Sequence, residues 1–121
     1  MNTVSKEIAL ITQLNRETAE DKIKWKSRPA PPSLINGTET QVFLFFVTKY
    51  KEQSLVLFER RYKSFYSEIE WAWDSKIVFG VMDKFENVIW EYSGTSALYD
   101  LFSTVSEQTS GIKNLINTLL D

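Results

Sequence analysis

The side chains that most often carry protein chemistry are missing or scattered in this sequence. Its 121 residues include no histidine and no cysteine. That removes the imidazole base, the thiolate nucleophile, disulfides, and any metal site built on nitrogen or sulfur ligands. Carboxylates remain, and Glu68, Glu70, Asp74 and Asp83 form the candidate set. Glu68 and Glu70 fall on one face of an expected strand, where they could hold a hard cation or serve as acid and base. Alternating glutamates on a strand are ordinarily a solvated face, and nothing nearby in sequence desolvates either one. The four glycines, at 37, 80, 94 and 111, are too scattered for a phosphate cradle. The sequence therefore names no catalytic, cofactor-binding or metal-ligating residue, and the expectation is a protein that is not an enzyme.

Binding chemistry is better represented. Basic residues gather at Lys22–Arg28, at Lys49 and Lys51, and at Arg60, Arg61 and Lys63, with Tyr50, Tyr62 and Phe65 between them. Basic and aromatic side chains on one sheet face can stack bases and hold phosphates. Glu52 and Glu59 interrupt the pattern, and the net charge of −2 gives no global attraction to nucleic acid or anionic membrane. Single-stranded nucleic acid is therefore a secondary expectation. The four tryptophans, 25, 71, 73 and 90, supply a third reading, a small-molecule pocket with aromatic walls, which competes with ordinary core.

The elements that must position these groups follow from hydrophobic period. Thr3 or Ser5 can cap a helix to about Ala19 or Asp21, with Val4, Ile8, Ile11, Leu14 and Thr18 on its buried face. Ile23 and Trp25 then alternate with Lys22, Lys24 and Lys26, as in a half-buried strand whose lysines guard an edge. Pro29, Pro31 and Pro32 impose a connector. Two strands follow, about Gln41–Tyr50 and Ser54–Arg61, around a turn at Lys51-Glu52-Gln53. Ile69, Trp71 and Trp73 alternate as a further strand, Asp74-Ser75 turns the chain, and Lys76–Met82 and Val88–Tyr92 form a hairpin about residues 83–87. From Ser96 a long apolar stripe at helical spacing runs to Leu119, and Gly111 either divides it into two helices or bends one. The expected fold is one α+β domain over 1–121, with an N-terminal helix, an antiparallel sheet of about four to six strands and a C-terminal helix.

The ordered set "DKIKW", "VFGVMDKFENVIWEY" and "LYDLFSTVSEQTSGIKNLINTLL" resembles a group of small bacterial proteins without an assigned activity. In that group a leading helix ends in a lysine–isoleucine–tryptophan strand, and a "D-x-x-G-x-x-I-W" hairpin precedes a C-terminal amphipathic helix. This chain carries Glu86 near the place of the motif's glycine. The resemblance implies the fold and a soluble protein, and no chemistry.

The stretch Gln41–Arg61 dominates the functional expectation. Strict alternation places Val42, Leu44 and Phe46 on one face and Phe43, Phe45 and Val47 on the other. A strand apolar on both faces needs two covers, from this chain or another. If both helices lie on one side, aromatic rings on the other call for a partner. Phe43, Phe45, Phe58, Trp71, Trp73 and Trp90 are the candidate interface or pocket residues. The expected protein is a small interaction module that pairs with itself as a homodimer or with another protein. No run reaches the ~18 apolar residues of a membrane span, and the N-terminus lacks an apolar signal core, so a cytoplasmic location is expected.

Overall fold

The computed structural model describes residues 5–121. The order is α1 (Lys6–Ala19), β1 (Lys26–Ser27), α2 (Pro32–Ile35), β2 (Gln41–Tyr50), β3 (Gln53–Phe65), β4 (Trp71–Met82), β5 (Val88–Ser93), α3 (Ser96–Ser110) and α4 (Ile112–Leu120). The five strands form one antiparallel sheet in sequence order. The α+β class, the antiparallel meander and the flanking helices agree with the sequence reading.

Local chemistry sets most boundaries. The Ser5 hydroxyl accepts from the Ile8 N–H and caps α1; Thr3 and Val4 lie outside the described residues. Lys51 and Glu52 have φ of 49° and 69° and close β2 onto β3, with Tyr50 opposite Gln53. That two-residue turn matches the twist of the strands it joins. Gly111, at φ 68°, ends α3 and begins α4, so the C-terminal stripe is two helices. Glu86 has φ 66° in the β4–β5 turn, the backbone region that favours glycine.

One face of the sheet meets α1 and α3. Ile11, Leu14, Leu98, Leu101 and Val105 of the helices bury Phe46, Leu55, Leu57, Ile77 and Phe79 of the sheet. Ile23 and Trp25 join this core, and the Trp25 indole N–H donates to the Thr18 hydroxyl at 3.0 Å. The opposite face buries Phe45, Val56, Phe58, Val78 and Met82, against Ala30 and Leu34. The proline segment therefore acts as a strap. Arg28 N–H donates to the Phe45 carbonyl, its guanidinium meets Glu86 at 2.7 Å, and the Ser33 hydroxyl reaches the Glu86 carbonyl. Gly80 lets β5 close on β4, because a Cβ there would stand 2.6 Å from the Trp90 carbonyl oxygen.

Four expectations are corrected. The strand at Lys22–Lys26 shrinks to two paired residues, although Ile23 and Trp25 are buried and the three lysines exposed as their alternation implied. Asp74-Ser75 is no turn: β4 runs unbroken through it, because β3 continues to Phe65 and pairs residue for residue. Ile69, Glu68 and Glu70 consequently lie in the β3–β4 turn rather than on a strand. Finally, β2 carries a bulge. Val42 faces Arg60 and Phe45 faces Phe58, so β2 spends one residue more than β3 over this interval. Strict alternation fails there, and Val42 joins Phe45 and Val47 on the strap side.

Candidate functional site

Register fixes what each side chain can reach. On the helix face of β3, Leu55, Leu57, Glu59, Arg61, Lys63 and Phe65 stand opposite Val81, Phe79, Ile77, Ser75, Trp73 and Trp71. The helices cover this row as far as Ile77. Beyond it the β3–β4 hairpin continues as an arm, and the row becomes aromatic and cationic. The Arg61 guanidinium lies between two rings, 5.2 Å from the centroid of Phe43 and 5.9 Å from that of Trp73. The Lys63 ammonium sits 4.5 Å over Trp71, and Trp71 meets Trp73 edge to face at 5.5 Å. Phe43 is 63% exposed, Phe65 56%, Trp71 39% and Trp73 40%. The reverse face of the arm carries Tyr62, Ser64, Ala72, Asp74 and Lys76. The arm is amphipathic, and its aromatic side has no cover among the described residues.

The candidate residues divide between three places. Phe43, Trp71 and Trp73 come together on the arm. Phe45 and Phe58 do not: they stack at 5.5 Å under the strap, 1% and 0% exposed, and serve the core. Trp90 stacks on Tyr92 and meets Phe79 edge to face. It pairs with Val81, eight positions along β4 from Trp73, or ~25 Å at the usual rise. With Trp25 in the helix-side core, the tryptophans share no pocket. Sequence reasoning missed Arg61 and Lys63 as partners of these rings, because their meeting depends on the bulge and on the length of the arm.

A second uncovered surface lies at α4. Ile112, Leu115, Ile116, Leu119 and Leu120 recur at helical spacing and are all exposed, from 36% at Ile112 to 80% at Leu120. The helix buries no residue.

Little of this arrangement is suited to covalent chemistry. Among the described residues no group of three or more Asp or Glu is placed to hold a metal ion. Glu68 and Glu70 sit exposed at the arm's tip. Asp83 accepts from the backbone N–H groups of Asn87 and Phe85, which holds its carboxyl below the usual aspartate range. Asp83 is thus a turn-forming carboxylate. Among the described residues no helix is long and apolar enough to cross a membrane.

Comparison with family models, with curated proteins and with solved structures returns no match.

Proposed function

We propose that the chain is a non-enzymatic protein-interaction module that binds through the aromatic side of its β3–β4 arm, and that the partner is a second copy. The observation that carries the reading is the continuity of the sheet face. The row that α1 and α3 cover over the body runs on, without a helix, through Arg61, Lys63, Phe65, Trp71 and Trp73. The missing layer is helical, and α4 is a helix whose apolar stripe lacks a seat. Its C-terminal end carries Asp121 and no basic residue in its last turn. That end complements Arg61 and Lys63 in charge, because exposed carbonyls make a helix C-terminus negative.

Area supports a reciprocal arrangement. Four aromatic rings of about 150–250 Å² each, roughly half exposed, offer on the order of 400 Å². A stable interface needs about 800 Å² per partner. The arm alone falls short, whereas an arm and an α4 contributed by each copy approach that figure.

A photo-crosslinking phenylalanine at position 73, with position 84 as an exposed control, tests the reading in cells. Specific adducts of discrete mass at position 73 support it, and an adduct at twice the chain mass identifies the second copy. Equal, diffuse labelling at both positions sinks it.

One observation favours a second reading. Arg61 between two rings and Lys63 over a third resemble a platform for stacked bases with phosphate contacts. Salt-sensitive retention on single-stranded DNA, lost in Trp73→Ala, would favour it over protein binding.

A further inference from the structure

The bottom of the sheet holds a different feature, independent of the arm. β1 pairs with β2 only at Lys26–Val47 and Ser27–Phe46. Upstream the chain leaves the ladder, and the Thr48 hydroxyl donates to the Lys24 carbonyl at 2.7 Å. The wedge so opened is a cleft of about 520 Å³ between residues 22–26 and the end of β2 with its turn. Lys22, Lys24, Lys26, Lys49 and Lys51 line it, with Ile23, Val47 and Tyr50 supplying apolar wall.

Five of the chain's 14 basic residues thus meet at one cleft in a molecule of net charge −2. Two of them are partly neutralised, Lys22 by Glu20 and Lys24 by Asp21. Among the described residues Lys26, Lys49 and Lys51 form no ion pair. Lysines on a strand edge also discourage stray pairing, which accounts for Lys26. That role does not require like charges from two distant segments to converge across one opening. An anion bound in the opening would meet several ammonium groups at once. A cleft with walls of one sign also focuses the field and raises the local concentration of counter-ions.

We infer that this cleft binds a small molecule bearing two or more phosphate groups and an apolar or aromatic portion. Several separated ammonium groups suit several phosphates better than one, since lysine acts as a point charge rather than a fork. The volume is that of a small-ligand site. Val47 and the partly exposed Tyr50 ring would receive the apolar portion. The Gln108 side chain steadies the Lys22–Trp25 wall, accepting from the Trp25 N–H at 2.8 Å and donating to the Ile23 carbonyl at 2.7 Å.

The test is titration of the full chain at low salt with orthophosphate, tripolyphosphate, ATP and an oligothymidylate, followed by backbone amide shifts and calorimetry. Tripolyphosphate and ATP should bind at least about tenfold tighter than orthophosphate, ATP the tighter of the two. Shifts should centre on residues 22–26 and 47–51. The charge-removing variant Lys26→Gln/Lys49→Gln, whose melting should be unchanged because both side chains are exposed, should lose about tenfold or more, and Lys26→Arg should retain binding. Equal weak binding of every anion would overturn the inference. So would affinity unchanged in the double variant, or binding of the oligonucleotide without ATP or tripolyphosphate. Every arm of this titration leaves the aromatic arm intact, so its failure leaves the dimer reading standing.

Discussion

Phe43 and Phe45 stand two positions apart on β2 and should respond in opposite ways to truncation. On a regular strand they would share a face and comparable burial. The bulge between Val42 and Phe45 separates them. Phe45 is 1% exposed and stacked on Phe58 within a cluster that includes Val56, Val78 and Met82. Phe45→Ala removes a buried ring and leaves a cavity under the strap, which costs about 3–5 kcal/mol. Phe43 is 63% exposed, and the Arg61 guanidinium lies over its ring. Phe43→Ala forfeits that contact and little buried area, under about 1 kcal/mol. Domains of this kind have total stabilities of about 5–15 kcal/mol, so the first substitution consumes a large fraction and the second a small one. Urea unfolding followed by circular dichroism, at a concentration where the protein is monomeric, separates them as different midpoints at one slope. Equal losses, or a larger loss for Phe43→Ala, would refute the bulge and the assignment of the two rings to opposite faces.

Other substitutions probe other parts of the account. Gly80→Ala forces a Cβ against the Trp90 carbonyl oxygen, so β5 should shift and stability fall by about 1–3 kcal/mol in the same assay. Gln108→Ala strips the bonds to the Trp25 N–H and the Ile23 carbonyl and should cost about 1–3 kcal/mol, with faster amide exchange at residues 22–25. The Arg60 guanidinium donates two bonds to Glu91, at 2.9 and 2.8 Å, and holds its carboxyl below the usual glutamate range. Because the folded value is the lower one, this contribution is complete above the unfolded glutamate pKa and is lost as pH falls through the folded value. Glu91→Gln should therefore flatten that part of the acid-side decline in melting temperature, and an unchanged acid slope would contradict the pairing.

The legible parts of this fold were those written in local period. Ile11, Leu14 and Thr18, and later Leu98, Leu101 and Val105, mark buried helix faces at 3.6-residue spacing, and all six are buried. The β2–β3 and β4–β5 hairpins were likewise visible in their turn residues. The arm was obscured because Asp74-Ser75 has turn composition, yet it lies within β4 opposite Tyr62 and Arg61. Only pairing along the whole of β3 keeps it extended. The bulge in β2 was invisible because every residue from Val42 to Val47 is apolar, so an alternation slip leaves no trace in the pattern. The strap's role was hidden for another reason. Pro29, Pro31 and Pro32 mark a connector in the sequence, but that Ala30 and Leu34 pack against the cluster of Phe45 and Phe58 is a tertiary fact. The same holds for the lysine cleft, where the separation of Lys26 from Lys49 in sequence conceals that they share an opening.

The central claim, that the aromatic side of the arm seats α4 of a second copy, is tested most directly by solution mass. Light scattering after size exclusion, over a dilution series, should give twice the chain mass for the unaltered protein. Trp73→Glu on the arm and Leu119→Glu on α4 should each give folded monomers; Leu119→Glu should melt like the unaltered chain in its own monomeric state, and Trp73→Glu somewhat lower, because it forfeits the contacts to Trp71 and Arg61. Mixing the two monomers should restore association, weaker than that of the unaltered protein, because one of the two arm–α4 contacts is then intact. An unaltered protein that stays monomeric at every concentration, or two variants that both remain dimeric, would contradict the claim.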